Sequence, residues 1–92
     1  MAKIEKKIVV VNKKGMHARP AALFVQLADK LNVTVTLNKG GESVNGKSIM
    51  GILMLGLQYD TPITLVVDGD NAEAAMAEFE AFFAKQEEDL IK

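Results

Sequence analysis

The residues most able to carry covalent chemistry lie in Gly15-Met16-His17-Ala18-Arg19-Pro20-Ala21-Ala22, where the chain's lone histidine stands between a flexible turn and the start of a helix. Gly15 allows a sharp turn, and Pro20 is tolerated in a first helical turn, where its missing N–H breaks no intrahelical bond. The N–H groups of Ala18 and Arg19 have no partner within such a helix and point back toward His17, which is an anion-binding arrangement. A phosphoryl group on the imidazole would bring up to about two negative charges, and a helix N-terminus contributes ~0.3–1 kcal/mol per favourable charge. The Arg19 guanidinium has a fork that matches phosphate oxygens, and a neutral ring nitrogen is free to attack phosphorus. Phosphoryl transfer needs in-line positioning and charge stabilisation rather than a deep cleft, so an exposed site suffices when partners supply the metal and the remaining walls. Taken without its neighbours, a histidine near a helix start is more often a cap or turn residue.

A second candidate is Ser48, in Asn45-Gly46-Lys47-Ser48-Ile49-Met50-Gly51. Its hydroxyl suits the N-cap of a short helix. Ile49, Met50, Ile52, Leu53, Met54 and Leu55 cannot all face a core from so short a segment, so part of this helix is expected at the surface. Ile52 and Leu55 are assigned to the core. A methionine-bearing surface suits contact with several partners, because the side chain repacks readily.

The elements that must position these residues follow from periodicity. A first strand is expected near residues 4–11, with Ile8 and Val10 on one face and Val9 and Val11 on the other, a pattern consistent with cover on both sides. After Asn12-Lys13-Lys14-Gly15, the helical spacing of Ala21, Phe24, Leu27, Ala28 and Leu31 predicts a helix over Ala18–Leu31, stopped at Asn32. Val33, Val35 and Leu37 alternate with threonines in a second strand, which turns at Lys39-Gly40-Gly41 into a third over Glu42–Asn45. A short helix over Ile49–Leu55 closes at Gly56. Pro62 starts a fourth strand through Ile63, Leu65 and Val67. Asp70 and Glu73 have capping-box spacing before a last helix whose Ala75, Met76, Phe79, Phe82 and Phe83 form one apolar face, and the tail beyond about Lys85 is expected to fray. The order βαββαβα indicates an α+β fold, an antiparallel sheet covered on one face by three helices.

Composition bounds the rest. Ninety-two residues fit a single domain, 1–92, too small for a buried catalytic cleft. No cysteine is present, and one histidine cannot supply a zinc ligand set, so no metal or cofactor is expected. The charged stretch Met1-Ala2-Lys3-Ile4-Glu5-Lys6-Lys7 is unlike a signal peptide, and the longest apolar run is far short of a membrane span, so a cytoplasmic protein with no membrane partner is expected. Net charge is −1, and the strands lack an aromatic stacking platform, which disfavours nucleic-acid binding. The charge is uneven. Residues 1–19 are basic and residues 68–92 acidic, either to keep a strand edge from pairing or to steer docking.

Gly15-Met16-His17-Ala18-Arg19-Pro20-Ala21 closely resembles the active-site segment of HPr, the histidine-containing phosphocarrier of the bacterial phosphoenolpyruvate-dependent phosphotransferase system. Asn45-Gly46-Lys47-Ser48-Ile49-Met50-Gly51 resembles that family's regulatory-serine segment at the expected distance downstream. The resemblance spans the whole chain and implies the family's open-faced β-sandwich. It implies His17 as the phosphoryl acceptor through Nδ1, Arg19 as its support, and Ser48 as a substrate of HPr kinase/phosphorylase. It further implies Met16, Ile49, Met50 and Leu53 as docking residues, enzyme I as donor, enzyme IIA domains of sugar permeases as acceptors, and a monomeric carrier that is not itself an enzyme. Met16 stands where sugar-branch members more often have leucine or isoleucine, so a nitrogen-branch carrier stays open. A regulatory binding module of the same fold, as in relatives lacking the histidine, is disfavoured by the presence of His17.

Overall fold

A computed structural model of the chain describes residues 2–90. Four strands, β1 (Ala2–Val9), β2 (Thr34–Lys39), β3 (Glu42–Asn45) and β4 (Pro62–Gly69), form one antiparallel sheet in the order β1-β4-β2-β3. Helices α1 (Ala18–Leu31), α2 (Ile49–Met54) and α3 (Ala72–Phe83) follow the order read from the sequence, and a further short helix, α4, spans Glu87–Leu90. The fold is an α+β open-faced sandwich, as expected.

Period-two alternation decides which side of the sheet is covered. Val35 and Leu37 of β2 pair with Val67 and Leu65 of β4, and Ile4 and Ile8 of β1 pair with Val67 and Ile63, so these side chains share the face under the helices. Lys3, Glu5, Lys7 and Val9 take the opposite, open face and are exposed. Cover on both sides of β1 is therefore not what forms. The strand ends at Val9, and Val10 leaves it to enter the core.

Phe24 of α1 is fully buried at the centre of the helical layer, with ring centroids of Phe79, Phe82 and Phe83 at 5.0, 5.4 and 5.4 Å. One rigid ring from α1 thus locks to the aromatic face of α3, fixing the helix that carries His17 at its N-terminus. Asn32 ends α1 in the left-handed conformation (φ 57°), and Gly56 follows α2 with φ 64°. Lys39 Nζ reaches the carbonyls of Leu55 and Gly56 at 2.8 and 3.2 Å, a cation at the negative end of α2 that ties it to β2.

Two terminal expectations fail. The capping box at Asp70 and Glu73 does not form: Asn71 is the N-cap of α3 and no side chain makes the cap bond, leaving Glu73 in the first turn to face the helix dipole. From Gln86 to Leu90 the tail does not fray, because Gln86 and Glu87 find partners in the loop after β1; the rest of that expectation falls on Ile91 and Lys92, outside the described residues.

Replacing Phe24 by alanine should cost about 3–5 kcal/mol, the usual penalty for emptying a buried aromatic site. Urea denaturation of the variant and the parent checks this, and a loss below about 1 kcal/mol would show that α1 is not held by the aromatic cluster.

Candidate functional site

The loop from Val10 to Met16 is pinned on both sides. Gly15 N–H donates to Asn12 O at 2.9 Å, buried Asn12 donates through Nδ2 to Gly15 O at 2.8 Å, and Met16 N–H donates to Leu57 O at 2.7 Å. Gly15 has φ +73°, and a Cβ there would lie 2.8 Å from Leu57 O, so both the conformation and the close approach require glycine. Met16 is only 7% exposed and belongs to the core. The docking role expected for it is therefore corrected: side chains alternate at this extended point, and placing Met16 inside sends His17 out.

His17 is the N-cap of α1 with extended backbone (φ −102°, ψ −164°); its carbonyl accepts from Ala21 N–H at 3.0 Å and its ring makes no cap bond. The side chain is 48% exposed. Ala18, Arg19 and Pro20 form the first turn, so the N–H groups of Ala18 and Arg19 have no intrahelical acceptor and Pro20 offers none, while its ring is buried. The first turn holds no acidic residue, which leaves the positive helix end uncompensated from within α1. Among the described residues no carboxylate pairs with exposed Arg19. An anion on the outer side of His17 would meet two free N–H groups and an unengaged guanidinium.

Ser48 caps α2 as expected: its Oγ accepts from Gly51 N–H at 3.0 Å. The side chain is half-buried, and Lys47 beside it is exposed. On α2, Ile52 and Leu55 are core, Ile49 and Met50 are exposed, and Leu53 is half-buried. Met54, which the sequence reading did not place at the surface, is the most exposed of the segment at 79%, with Met50 at 66%. Since α1 and α2 pack on each other, the histidine and the serine-capped apolar helix belong to one helical layer.

Three residues missed by the sequence reading also reach this site: Asn12, Gln86 and Glu87. Glu87 places its carboxylate Oε1 against Nε2 of His17. The acidic tail carried no periodic signal, and only its contacts reveal it.

Together the fold and this geometry define a class: a small open-faced α+β domain that presents a pinned, exposed histidine at a helix N-terminus beside a serine-capped apolar helix. Residues 4–85 match the family described as PTS HPr component phosphorylation site. The HPr-like protein Crh of Halalkalibacterium halodurans is 41% identical over 83 residues, covering 90% of this chain and 99% of that protein. The crystal structure of phosphocarrier protein HPr from Bacillus anthracis matches with a TM-score of 0.85 at 40% identity, covering 90% of this chain and 99% of that one. Crh of Bacillus subtilis, whose crystal structure is described as a domain-swapped dimer, matches with a TM-score of 0.72 at 40% identity, covering 88% and 93%. The chain belongs to the HPr family of the phosphotransferase system. Members of this family are phosphocarriers rather than catalysts. The dimeric Crh gives no support to the expected monomer.

Gly15→Ala should destabilise the domain by more than about 1 kcal/mol, because alanine must either adopt positive φ or push the loop from Leu57. A thermal melt compared with that of the parent checks the loss, and an unchanged midpoint would mean the turn relaxes freely.

Proposed function

We propose that this chain is a phosphocarrier that accepts a phosphoryl group from phospho-enzyme I on His17 and passes it to enzyme IIA domains of sugar permeases. The observation that carries the reading is an exposed histidine at the N-terminus of α1 with unpaired Ala18 and Arg19 N–H groups, no acid in the first turn, and an unengaged Arg19. The lone pair of the ring Nδ1 forms the new N–P bond as the donor's bond to phosphorus breaks and its electron pair stays with the donor. Arg19 and the helix end stabilise the oxygens during transfer. Onward transfer repeats the exchange with an acceptor on the IIA domain. In each direction one bond to phosphorus forms as another breaks, as suits a carrier.

Residues 1–92 act as a single cytoplasmic HPr domain in this reading, and no helix among the described residues is long and apolar enough to cross a membrane. Partners dock on Ile49, Met50 and Leu53, with Met54 extending the exposed apolar surface. Ser48 is the site for HPr kinase/phosphorylase. Its cap bond uses an oxygen lone pair, and a phosphate at the start of α2 meets favourable N–H groups, so modification falls on docking rather than on folding. A nitrogen-branch partner set would leave this chemistry unchanged. A second reading, a regulatory module that binds without carrying, is favoured by the similarity to Crh, described as a catabolite repression protein in its Bacillus subtilis form.

His17→Ala should abolish acceptance of phosphate from phospho-enzyme I while leaving the circular dichroism unchanged, because the side chain is outside the core. Arg19→Ala should slow single-turnover transfer by about tenfold, equivalent to roughly 1.4 kcal/mol of lost charge stabilisation. Acceptance of label by the histidine variant would reject the assignment, and a normal rate for the arginine variant would remove Arg19 from the site.

Ser48→Asp should weaken enzyme I binding by about tenfold, since charge at the rim of an apolar patch adds a desolvation cost and repels acidic partners. The thermal midpoint should stay within a few degrees of the parent's, because aspartate is itself a good N-cap. Titration calorimetry and a melt separate the two, and unchanged affinity with a shifted midpoint would make Ser48 a structural cap only.

A further inference from the structure

Helix α2 is short, and side chains hold both of its ends. It has six residues, of which Ile52 is the buried one, and so short a helix is marginal on its own backbone bonds. At its start the Ser48 Oγ accepts from Gly51 N–H. At its end the chain turns through Gly56 at φ 64°, and the carbonyls of Leu55 and Gly56 both accept from Nζ of Lys39, at 2.8 and 3.2 Å. These are charge-assisted bonds to carbonyls that a helix end otherwise leaves without a partner.

Lys39 is itself anchored in the sheet. It is the last residue of β2, paired with Glu42 of β3 across the turn at Gly40 and Gly41, and a bond from Asn38 Nδ2 to Ser43 Oγ at 3.0 Å closes the same hairpin. One residue beyond its grip on Gly56, Leu57 is buried in the core, and the Leu57 carbonyl accepts from Met16 N–H at 2.7 Å, directly before His17. The backbone that follows stays against the same turn, with Asp60 N–H donating to Val10 O at 2.8 Å. Through two adjacent carbonyls, the Lys39 ammonium thus holds the junction between α2 and the stretch of backbone that pins the active turn.

We propose that Lys39 is a positioning residue that fixes the register between the docking face of α2 and the His17 site, so that a partner gripping Ile49, Met50 and Leu53 meets the ring in line. The inference rests on the reading of His17 as the acceptor and of α2 as the docking helix. Lys39 takes no part in the bond exchange: the Nδ1 lone pair forms the N–P bond, the bond between phosphorus and the donor protein breaks, and the donor keeps that electron pair. A partner that holds α2 aligns its phosphorus with respect to that helix, so any play between α2 and Met16 becomes an error in the line of attack. A phosphoryl donor too small to grip α2 is indifferent to that play.

The test compares two donors on the parent, Lys39→Met and Lys39→Arg: saturating phospho-enzyme I in single turnover, and phosphoramidate, a small molecule that passes its phosphoryl group to an imidazole as ammonia leaves. Methionine keeps a flexible stem but no donor. With phospho-enzyme I, Lys39→Met should react about tenfold more slowly than the parent, the scale expected from a misplaced reacting group. With phosphoramidate the two should react alike. Lys39→Arg keeps the charge and its N–H donors and should recover most of the loss. Hydrogen exchange at the Leu55 and Gly56 amides, measured with no donor present, should quicken several-fold in the methionine variant while the sheet stays as protected as in the parent. A parent-like rate with phospho-enzyme I, equal slowing with both donors, parent-like exchange at Leu55 and Gly56, or a general loss of protection across the sheet would overturn the proposal. A parent that takes phosphate from phosphoramidate and none from several active enzyme I proteins would refute the carrier reading itself, on which the exchange measurement does not depend.

Discussion

An exposed ring is a dependable acceptor only when buried groups hold it still, and the turn from Asn12 to Met16 meets that constraint here. Asn12 closes the turn onto Gly15, Gly15 takes a conformation and a contact that exclude other residues, and Met16 enters the core one position before the histidine. Helix α1 starts immediately afterwards, so the ring, the free N–H groups of Ala18 and Arg19, and the Arg19 side chain have a common origin. The aromatic cluster around Phe24 then fixes α1 on α3. Loosening any of these would leave the residue types unchanged but spread their relative positions, and transfer chemistry is sensitive to displacements on the order of 1 Å.

The basic start and acidic end of the chain find part of their explanation in the same arrangement. Strand β1 is an edge strand, where lysines discourage pairing with another sheet. It also lies under α3, and Lys6 pairs with Glu80 at 3.2 Å. The ion pair is half-exposed and contributes little alone, about 0–1 kcal/mol. It shows that opposite charge at the two ends of the chain is partly matched within the domain, leaving less of the asymmetry for partners.

Much of this was legible in the residues because local periodicity and packing agree. Ala18–Leu31 was read to its boundaries, since its apolar stripe, its proline in the first turn and its Asn32 stop all point to one helix. Ser48 as a cap and Ile52 and Leu55 as core were likewise local inferences. Met16 misled because its neighbours carry the chemistry: membership in a functional segment says nothing about which way one side chain turns. The capping box failed because spacing alone does not place Asp70, and α3 begins two residues later. Gln86 and Glu87 could not be found from the sequence, because their role rests on long-range bonds to Val11, Asn12, Lys13 and His17.

What separates a carrier from a regulatory module is whether the group moves on. The most direct measurement is to phosphorylate the parent chain with phosphoenolpyruvate, magnesium and enzyme I, purify it free of that enzyme, and mix it with a IIA domain from a matching system. The account predicts that an acid-labile, base-stable phosphate leaves this chain and appears on the IIA domain. A label that never forms with several active enzyme I proteins, or one that forms and stays in place with several active IIA domains, would contradict it.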